Sequence, residues 1–361
     1  MKIKGKEKQI HKFVFVAGFM RVRLGDVCEK GSSNLKQSDV IDKNGEYEIY
    51  GASGLIGKVD FFHQEKPYIA VVKDGAGIGR TMLLPEKTSV IGTMQYILPN
   101  EKVIPKYLYY VIRYMHLEKY FTGATIPHIY FKDYKREEFN LCDLSEQEKI
   151  VSTLSKIEKI ITHRKQQLEK LDLLVKARFV EMFGDVATSD YKYPTKKLGD
   201  VANVGSSHRV FTKEFVETGI PFYRGTEIGE LANGIQPKEP FYISEEHYKK
   251  IADDETRPKK GDLLMPSICN KGQVWRVDTD EPFYYKDGRV LCVSADRKIY
   301  NTIFLQFFMR EKTIIEYPKI GSGSTFAEFK IFLLKDIDVL TPPLDLQTQF
   351  ADFVKQVDKS R

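Results

Sequence analysis

The run Asp74-Gly75-Ala76-Gly77-Ile78-Gly79-Arg80 is the first stretch of this chain whose residue types and spacing suggest chemistry. Glycine-rich backbone can cradle phosphate, so a nucleotide site is the first hypothesis. The run lacks the third glycine of a dinucleotide fingerprint and the Lys-Ser/Thr ending of a P-loop, and no long helix or acidic residue follows at the required spacing. A tight turn between strands explains it better. The seven histidines are scattered, with neither an HExxH pair nor other paired ligands. No GxSxG elbow occurs, and Pro342-Pro343 is not preceded by the Asn or Asp that an adenine methyltransferase pocket would use. Cys28, Cys142, Cys269 and Cys292 stand apart without a CxxC, which fits a reducing compartment better than a disulfide framework. These residues do not assemble into a complete active site, and no metal or cofactor is expected on this chain.

Side chains that can read a surface are present instead. Tyr50, Ser53, Lys73, Arg80, Thr125, His128, Arg224 and Lys271 lie in or beside glycine-punctuated turns. Glycine lets backbone approach a ligand closely, and such side chains can reach base edges or phosphates. Taken singly, each has the more ordinary alternative of a solvated loop residue. Overall charge does not help: Lys2, Lys4, Lys6, Lys8, Lys12, Arg21 and Arg23 against Glu7 supply the whole formal charge of +6. The rest of the chain is neutral on balance, so a nucleic-acid surface would have to come from local segregation of charge.

The element that must position these turns is the stretch 145–184, which has no proline and no glycine before Gly184. Ser145 with Glu148 reads as a capping box, and Gly184 as a left-handed stop. Ile150, Leu154, Ile157, Ile161, Leu168, Leu171, Val175 and Met182 follow a heptad register broken only by Arg164 and Arg178. A helix of that length rises roughly 57 Å, and a sustained heptad asks for a partner helix. A core helix of one large domain is the alternative; a lysine- and glutamate-rich outer face favours a rod between two bodies.

An internal repeat surrounds that helix. Leu24-Gly25-Asp26-Val27 recurs as Leu198-Gly199-Asp200-Val201, at an offset of 174. Gly123-Ala124-Thr125 matches Gly323-Ser324-Thr325 at an offset of 200, where Leu144, Gln147 and Ile150 also fall on Leu344, Gln347 and Phe350. The change of offset puts about 26 extra residues in the middle of the second copy. The first body reads as strands at 47–50, 68–72 and 90–98 and a helix from Pro105, and the second repeats that order. The expected fold is therefore α+β: two globular bodies, 23–144 and 195–344, joined by the helix 145–184, with a shorter helix 345–361 pairing antiparallel to it.

Residues 1–22 read as a flexible tail or an unused upstream start, with Met20 as a second candidate initiator. The basic start and the apolar run from Phe13 to Met20 are too short and wrongly flanked for a signal peptide. No run of 18 apolar residues suggests a membrane span.

With LGDV opening both halves, YGASGLIG at 50–57, DGAGIGR at 74–80, GATIPHI at 123–129 and LSEQEKIVSTLSKIEKII at 144–161, the chain resembles the specificity subunits of type I restriction-modification systems. The resemblance implies that each body is a target recognition domain reading one half of an asymmetric, bipartite site in double-stranded DNA. It also implies that the helices form a spacer, and that two methyltransferase subunits and a restriction-translocase subunit dock on this non-catalytic, cytoplasmic subunit. S-adenosylmethionine, ATP and Mg are then expected on the partners, in a complex that is an adenine-N6 methyltransferase and an ATP-dependent endonuclease. Base-contacting positions vary within the family, so no residue role transfers by motif. Two rival readings are the recognition part of a fused methyltransferase-nuclease and a two-headed coiled-coil scaffold. The second helix is short for the family and reads as truncated. It is expected to cover the region from Leu168 to Met182 and to leave Ile150, Leu154, Ile157 and Ile161 more exposed than Leu171 and Val175, so that the chain self-associates or needs a methyltransferase or a separate helix to cover them.

Overall fold

The computed structural model describes residues 19–40, 43–123, 126–320 and 327–360. Two compact units divide the chain, one ending at His163 and one beginning at Arg164, so the boundary falls inside a helix.

The first unit contains β1 (Met20–Arg23), β2 (Cys28–Ser32), β3 (Tyr47–Gly51), β4 (Gly54–Val59), β5 (Tyr68–Val72), β6 (Thr81–Leu84), β7 (Ser89–Val90), β8 (Met94–Pro99) and β9 (Glu138–Leu141), with helices α1 (Pro105–Met115) and α2 (Phe131–Tyr134). One sheet has the order β2-β8-β5-β6, a second β4-β3-β7, and β1 pairs with β9. Strand β5 is buried along its whole length because both of its faces are covered. Ile69 and Val71 pack toward Leu108 and Ile112 of α1, while Tyr68, Ala70 and Val72 belong to a second cluster with Met94 and Tyr96. Pro105 suits the first turn of α1, where its missing N–H is no loss. Each fully buried side chain such as Leu108 contributes about 1.5–3 kcal/mol.

Three expectations need correction here. Ordered chain begins before residue 23: Met20 to Arg23 form β1, in register with Leu141 to Glu138. The strand expected over 90–98 is broken, because the Gly92 amide turns away to Leu35 O at 2.7 Å, and its two pieces join different sheets. The helix starts one residue earlier than Ser145 suggests: α3 (Leu144–Phe183) is capped by Asp143, whose Oδ1 accepts the Glu146 amide at 2.9 Å.

The second unit has a two-residue pairing of β10 (Gly184–Asp185) with β11 (Asp190–Tyr191), followed by β12 (Thr195–Lys197), β13 (Ala202–Gly205), β14 (Phe215–Val216), β15 (Ile220–Tyr223), β16 (Phe241–Ile243), β17 (Leu263–Pro266), β18 (Trp275–Arg276), β19 (Tyr284–Tyr285), β20 (Val290–Ala295) and β21 (Asp338–Leu340). Its helices are α4 (Leu198–Val201), α5 (Gly225–Ala232), α6 (Glu245–Ile251), α7 (Thr302–Glu316), α8 (Ile331–Lys335) and α9 (Leu344–Asp358). The order β13-β20-β17-β18 repeats β2-β8-β5-β6, and the parallel pair β15–β19 repeats β3–β7. Helices α5 and α6 lie between β15 and β17, in the middle of the copy, where the sequence places the extra residues.

Identical bonds pin both copies. The Leu24 amide donates to Glu137 O at 2.8 Å, as Leu198 does to Ile337 O at 2.9 Å. A Cβ on Gly25 would stand 3.3 Å from Lys135 O, and one on Gly199 3.0 Å from Lys335 Cβ, which explains a glycine at both places. Gln147 is fully buried and makes three bonds: Nε2 to Cys142 O at 2.9 Å and Lys102 O at 3.0 Å, and Oε1 from the Ile104 amide at 2.8 Å. Gln347 repeats them with Pro342 O at 2.8 Å, Ile299 O at 2.9 Å and the Asn301 amide at 2.9 Å. Each glutamine ties the start of its helix to the start of α1 or α7.

The heptad seam is only partly the packed face of α3. In the second unit Val175, Phe179 and Phe183 are buried, while Leu168, Leu171 and Met182 are half-buried. Phe350 of α9 lies 5.4 Å from Phe179 and 5.7 Å from Phe183, ring to ring. The Arg164 guanidinium reaches Ser360 O at 3.4 Å, so α9 runs antiparallel to this half of α3. In the first unit Ile150 packs on the body itself together with Val151 and is half-buried, as is Leu154. Only Ile157, at 46% exposed, and Ile161, at 50%, match the expected open stripe, against 5% for Val175. The difference arises because the bodies, as well as a partner helix, cover α3.

Candidate nucleic-acid interface

The glycine loop of the first unit closes the turn between β5 and β6. The Gly79 amide donates to Val72 O and the Val72 amide to Arg80 O, both at 2.9 Å. Gly75 and Gly79 have φ of 90° and 80°, and a Cβ on Gly79 would lie 2.7 Å from the Glu118 amide nitrogen. Only glycine meets both demands at Gly79. The loop is a hydrogen-bonded turn rather than a strand-to-helix phosphate cradle.

Two other segments join it. The Gly75 amide donates to Pro127 O and the Ile129 amide to Lys73 O, both at 2.9 Å, which fastens residues 127–129 to the loop. The Arg80 guanidinium donates to Ala52 O at 3.0 Å and holds the β3–β4 turn, where Ser53 is exposed and Gly54 has φ of 117°. Asp74 sits between two partners, His128 Nδ1 at 2.5 Å and Lys73 Nζ at 3.9 Å. If Nδ1 carries the proton toward Asp74, His128 Nε2 is left as an acceptor. The Tyr50 hydroxyl donates to Glu48 at 2.5 Å, and burial together with that carboxylate pushes its pKa up to about 12, so the phenol stays neutral.

Tyr50, Ser53, Lys73, Arg80 and His128 are thus brought to one edge of the first unit. Thr125 lies outside the described residues. Sequence reasoning missed Tyr130 and Lys132: the Tyr130 ring stacks near His128 at 6.1 Å, Lys132 lies 5.2 Å over it, and Tyr130 remains 48% exposed. An exposed aromatic ring beside a histidine offers a stacking face as well as polar groups. The signal was legible in His128-Ile129-Tyr130-Phe131-Lys132, directly after the motif.

The second unit builds the corresponding loop from 267–274, between β17 and β18. The Phe329 amide donates to Ser267 O at 2.8 Å, the counterpart of Ile129 to Lys73. Gly272 has φ of 66°, and a Cβ there would fall 2.6 Å from Arg310 O. Lys271 is exposed at the tip, with its amide on Gln273 Oε1 at 3.0 Å. Arg224 is placed differently, at the residue before α5. Its side chain grips the nearly buried Glu227 at 3.1 and 2.5 Å and lies 4.5 Å over the Phe241 ring. Burial alone would raise Glu227, but those bonds and the backbone amides outweigh it and hold the carboxyl below its ordinary range. The structure therefore gives Arg224 a local pairing role that its sequence context did not reveal.

The four thiols are buried, and burial pushes each of them up, Cys28 and Cys292 to about 12 and Cys269 to about 11, so they are poor nucleophiles at neutral pH. Among the described residues no group of three His, Cys, Asp or Glu side chains could hold a metal ion, and no helix is long and apolar enough to cross a membrane. What the two loop clusters present is a set of donors, acceptors and aromatic faces on rigid turns.

The same two halves emerge from comparison with known proteins. The type I restriction modification DNA specificity domain matches residues 17–172 and again 188–361. A type I restriction enzyme specificity subunit from Haemophilus influenzae is 20% identical over 87% of this chain and 81% of its own length. The MjaVIII specificity subunit of Methanocaldococcus jannaschii is 23% identical over 80% of this chain and 72% of its own. Among solved structures, the S subunit of a type I restriction-modification system from M. genitalium superposes with a TM-score of 0.61 at 18% identity, over 95% of this chain and 90% of that one. With the domain matching twice, once on each repeat, the chain belongs to the type I restriction-modification specificity subunit family.

Proposed function

We propose that this chain chooses the DNA site for a type I restriction-modification complex and performs no chemistry itself. The first unit reads one half of a bipartite, asymmetric site in duplex DNA and the second unit the other. The observation that carries this reading is the pairing of one sheet order with two different loops: 73–80, and 267–274, both following the central strand of the same four-stranded sheet. Identical frames with unlike tips suit two readers of unlike sequences.

Helix α3 belongs to both units and supports a spacing role. Its 40 residues rise roughly 60 Å, against about 34 Å for one turn of duplex, so its length would govern the number of unread base pairs. Two methyltransferase subunits would dock on this chain, flip the target adenine and use S-adenosylmethionine. A restriction-translocase subunit would bring ATP and Mg. The cytoplasm is the compartment in which such a complex would meet its DNA.

The test is to exchange residues 195–343 for the matching body of another family member and map methylated adenines in cells carrying the methyltransferase. One half of the recognition sequence should change and the other persist. Simultaneous change of both halves would refute independent reading, and methyl transfer by the isolated chain would refute the division of labour.

A further inference from the structure

We propose that the second unit carries a phosphoryl-binding pocket beside the start of α7, distinct from the loop 267–274. A cavity of about 520 Å³ is lined by Lys260, Arg276, Arg297 and Lys355, with Asn301 and Thr302 from the first turn of α7, and by no carboxylate. Cations gathered on one wall favour an anion there to the extent that their charge is not already paired.

Three of these cations have carboxylate partners outside the lining. Arg297 donates to Asp262 at 2.9 Å and to Gly261 O at 2.8 Å, Lys260 to Asp280 at 2.9 Å, and Lys355 to Asp352 at 2.9 Å. The Arg276 backbone is paired with Leu263 in the β17–β18 ladder, while its half-buried side chain, among the described residues, has no hydrogen bond or ion pair. A guanidinium in that state keeps its planar fork of donors for an incoming oxyanion. The start of α7 adds to the attraction. Asn301 caps only the Ile303 amide, at 3.0 Å, which leaves the positive end of a 15-residue helix at the cavity wall. Tetrahedral oxyanions fit arginine forks together with a helix start. The volume of about 520 Å³ leaves room for more than one phosphoryl group. That chemistry has two sources, a free polyphosphate ligand or consecutive backbone phosphates of nucleic acid. Only the second rests on the function proposed above.

The probe is inorganic tripolyphosphate, titrated calorimetrically into the full chain at low salt. Saturable binding is expected, weakened at least ten-fold by Arg276→Gln combined with Lys355→Gln and unchanged by Lys159→Gln on the exposed face of α3. Arg276→Lys, which keeps the charge but loses the fork, should bind more weakly than the native chain and more tightly than the double variant, and guards against misfolding as the cause. Absence of saturable binding to the native chain, or equal affinity in the double variant, would overturn the pocket. The source is then decided with duplex DNA of arbitrary sequence. A salt slope lowered by about one to two in the double variant assigns the site to backbone phosphates, and an unchanged slope assigns it to a free polyphosphate. A native chain that binds tripolyphosphate but no DNA would refute the proposed function while leaving the pocket standing.

Discussion

The two units differ most where their frames are most alike. Gln147 and Gln347 make the same three bonds from the same place in their helices, and the LGDV openings are pinned by matching backbone bonds. At the end of the central strand, the first unit bonds Lys73, Asp74 and His128 into one cluster and ties Arg80 to Ala52 O, whereas the second extends Lys271 on a short turn and has inserted α5 and α6 elsewhere in the copy. Buried polar groups must be satisfied, so frame residues tolerate few alternatives. Exposed loop tips carry no such demand and are free to diverge.

The units also hold the long helix by unequal means, which gives the largest predicted effect. Phe179→Ala should cost about 3–5 kcal/mol in chemical denaturation, because its ring packs against Phe183, Phe304 and Phe350. Ile161→Ala, half exposed, should stay within about 0.5 kcal/mol. Equal costs would mean that the exposed stretch of α3 is covered in solution, as self-association would do.

Next come the glutamines. Gln147→Leu and Gln347→Leu should each cost about 1–3 kcal/mol, since each leaves two carbonyls and one amide without a partner. The losses should be similar and confined to the unit carrying the change, as read by hydrogen exchange. A loss that spreads to the other unit would show that the two do not fold independently.

The loops should give smaller and unit-specific effects on DNA binding. Arg80→Ala or Lys73→Ala should perturb one half-site and Lys271→Ala the other, with Lys159→Ala as an inert control. A base contact relaxes one position by about 1–3 kcal/mol, and a phosphate contact lowers the salt slope by about one for every sequence. Since Arg80 also clamps Ala52 O, its removal should additionally loosen the Ser53 turn. Negligible effects from all of them would return these side chains to the role of solvated turn residues.

The smallest predicted effect distinguishes Arg224 from the other candidates. Glu227 titrates below its ordinary value of 4.5, so its pairing stabilises the second unit fully above that value and the contribution disappears as pH falls through the lower folded pKa. Glu227→Gln should therefore flatten the acid limb of the second unit's stability curve and leave DNA affinity at neutral pH nearly unchanged. A large neutral-pH loss of affinity would instead make Arg224 a contact residue.

Local rules and repetition made much of this legible from sequence alone. The continuous apolar run Tyr68–Val72 marked a compact strand, Pro105 marked the start of α1, and the offsets of 174 and 200 revealed two copies with extra residues in the middle of the second. The glycines of DGAGIGR declared a tight turn for the same local reason. What the tertiary structure decided is partnership across distance. Heptad spacing nominated Met182 for the packed face of α3, yet Phe179 and Phe183 took it, because a ring cluster from α7 and α9 outweighs seam geometry. Arg224 looked like Lys73 or Arg80 until Glu227 and Phe241 were found beside it. The basic cavity at the start of α7 joins residues nearly a hundred positions apart, and no local spacing could have announced it. Charge and burial at such places are properties of the packed chain, set by which distant segments share a surface.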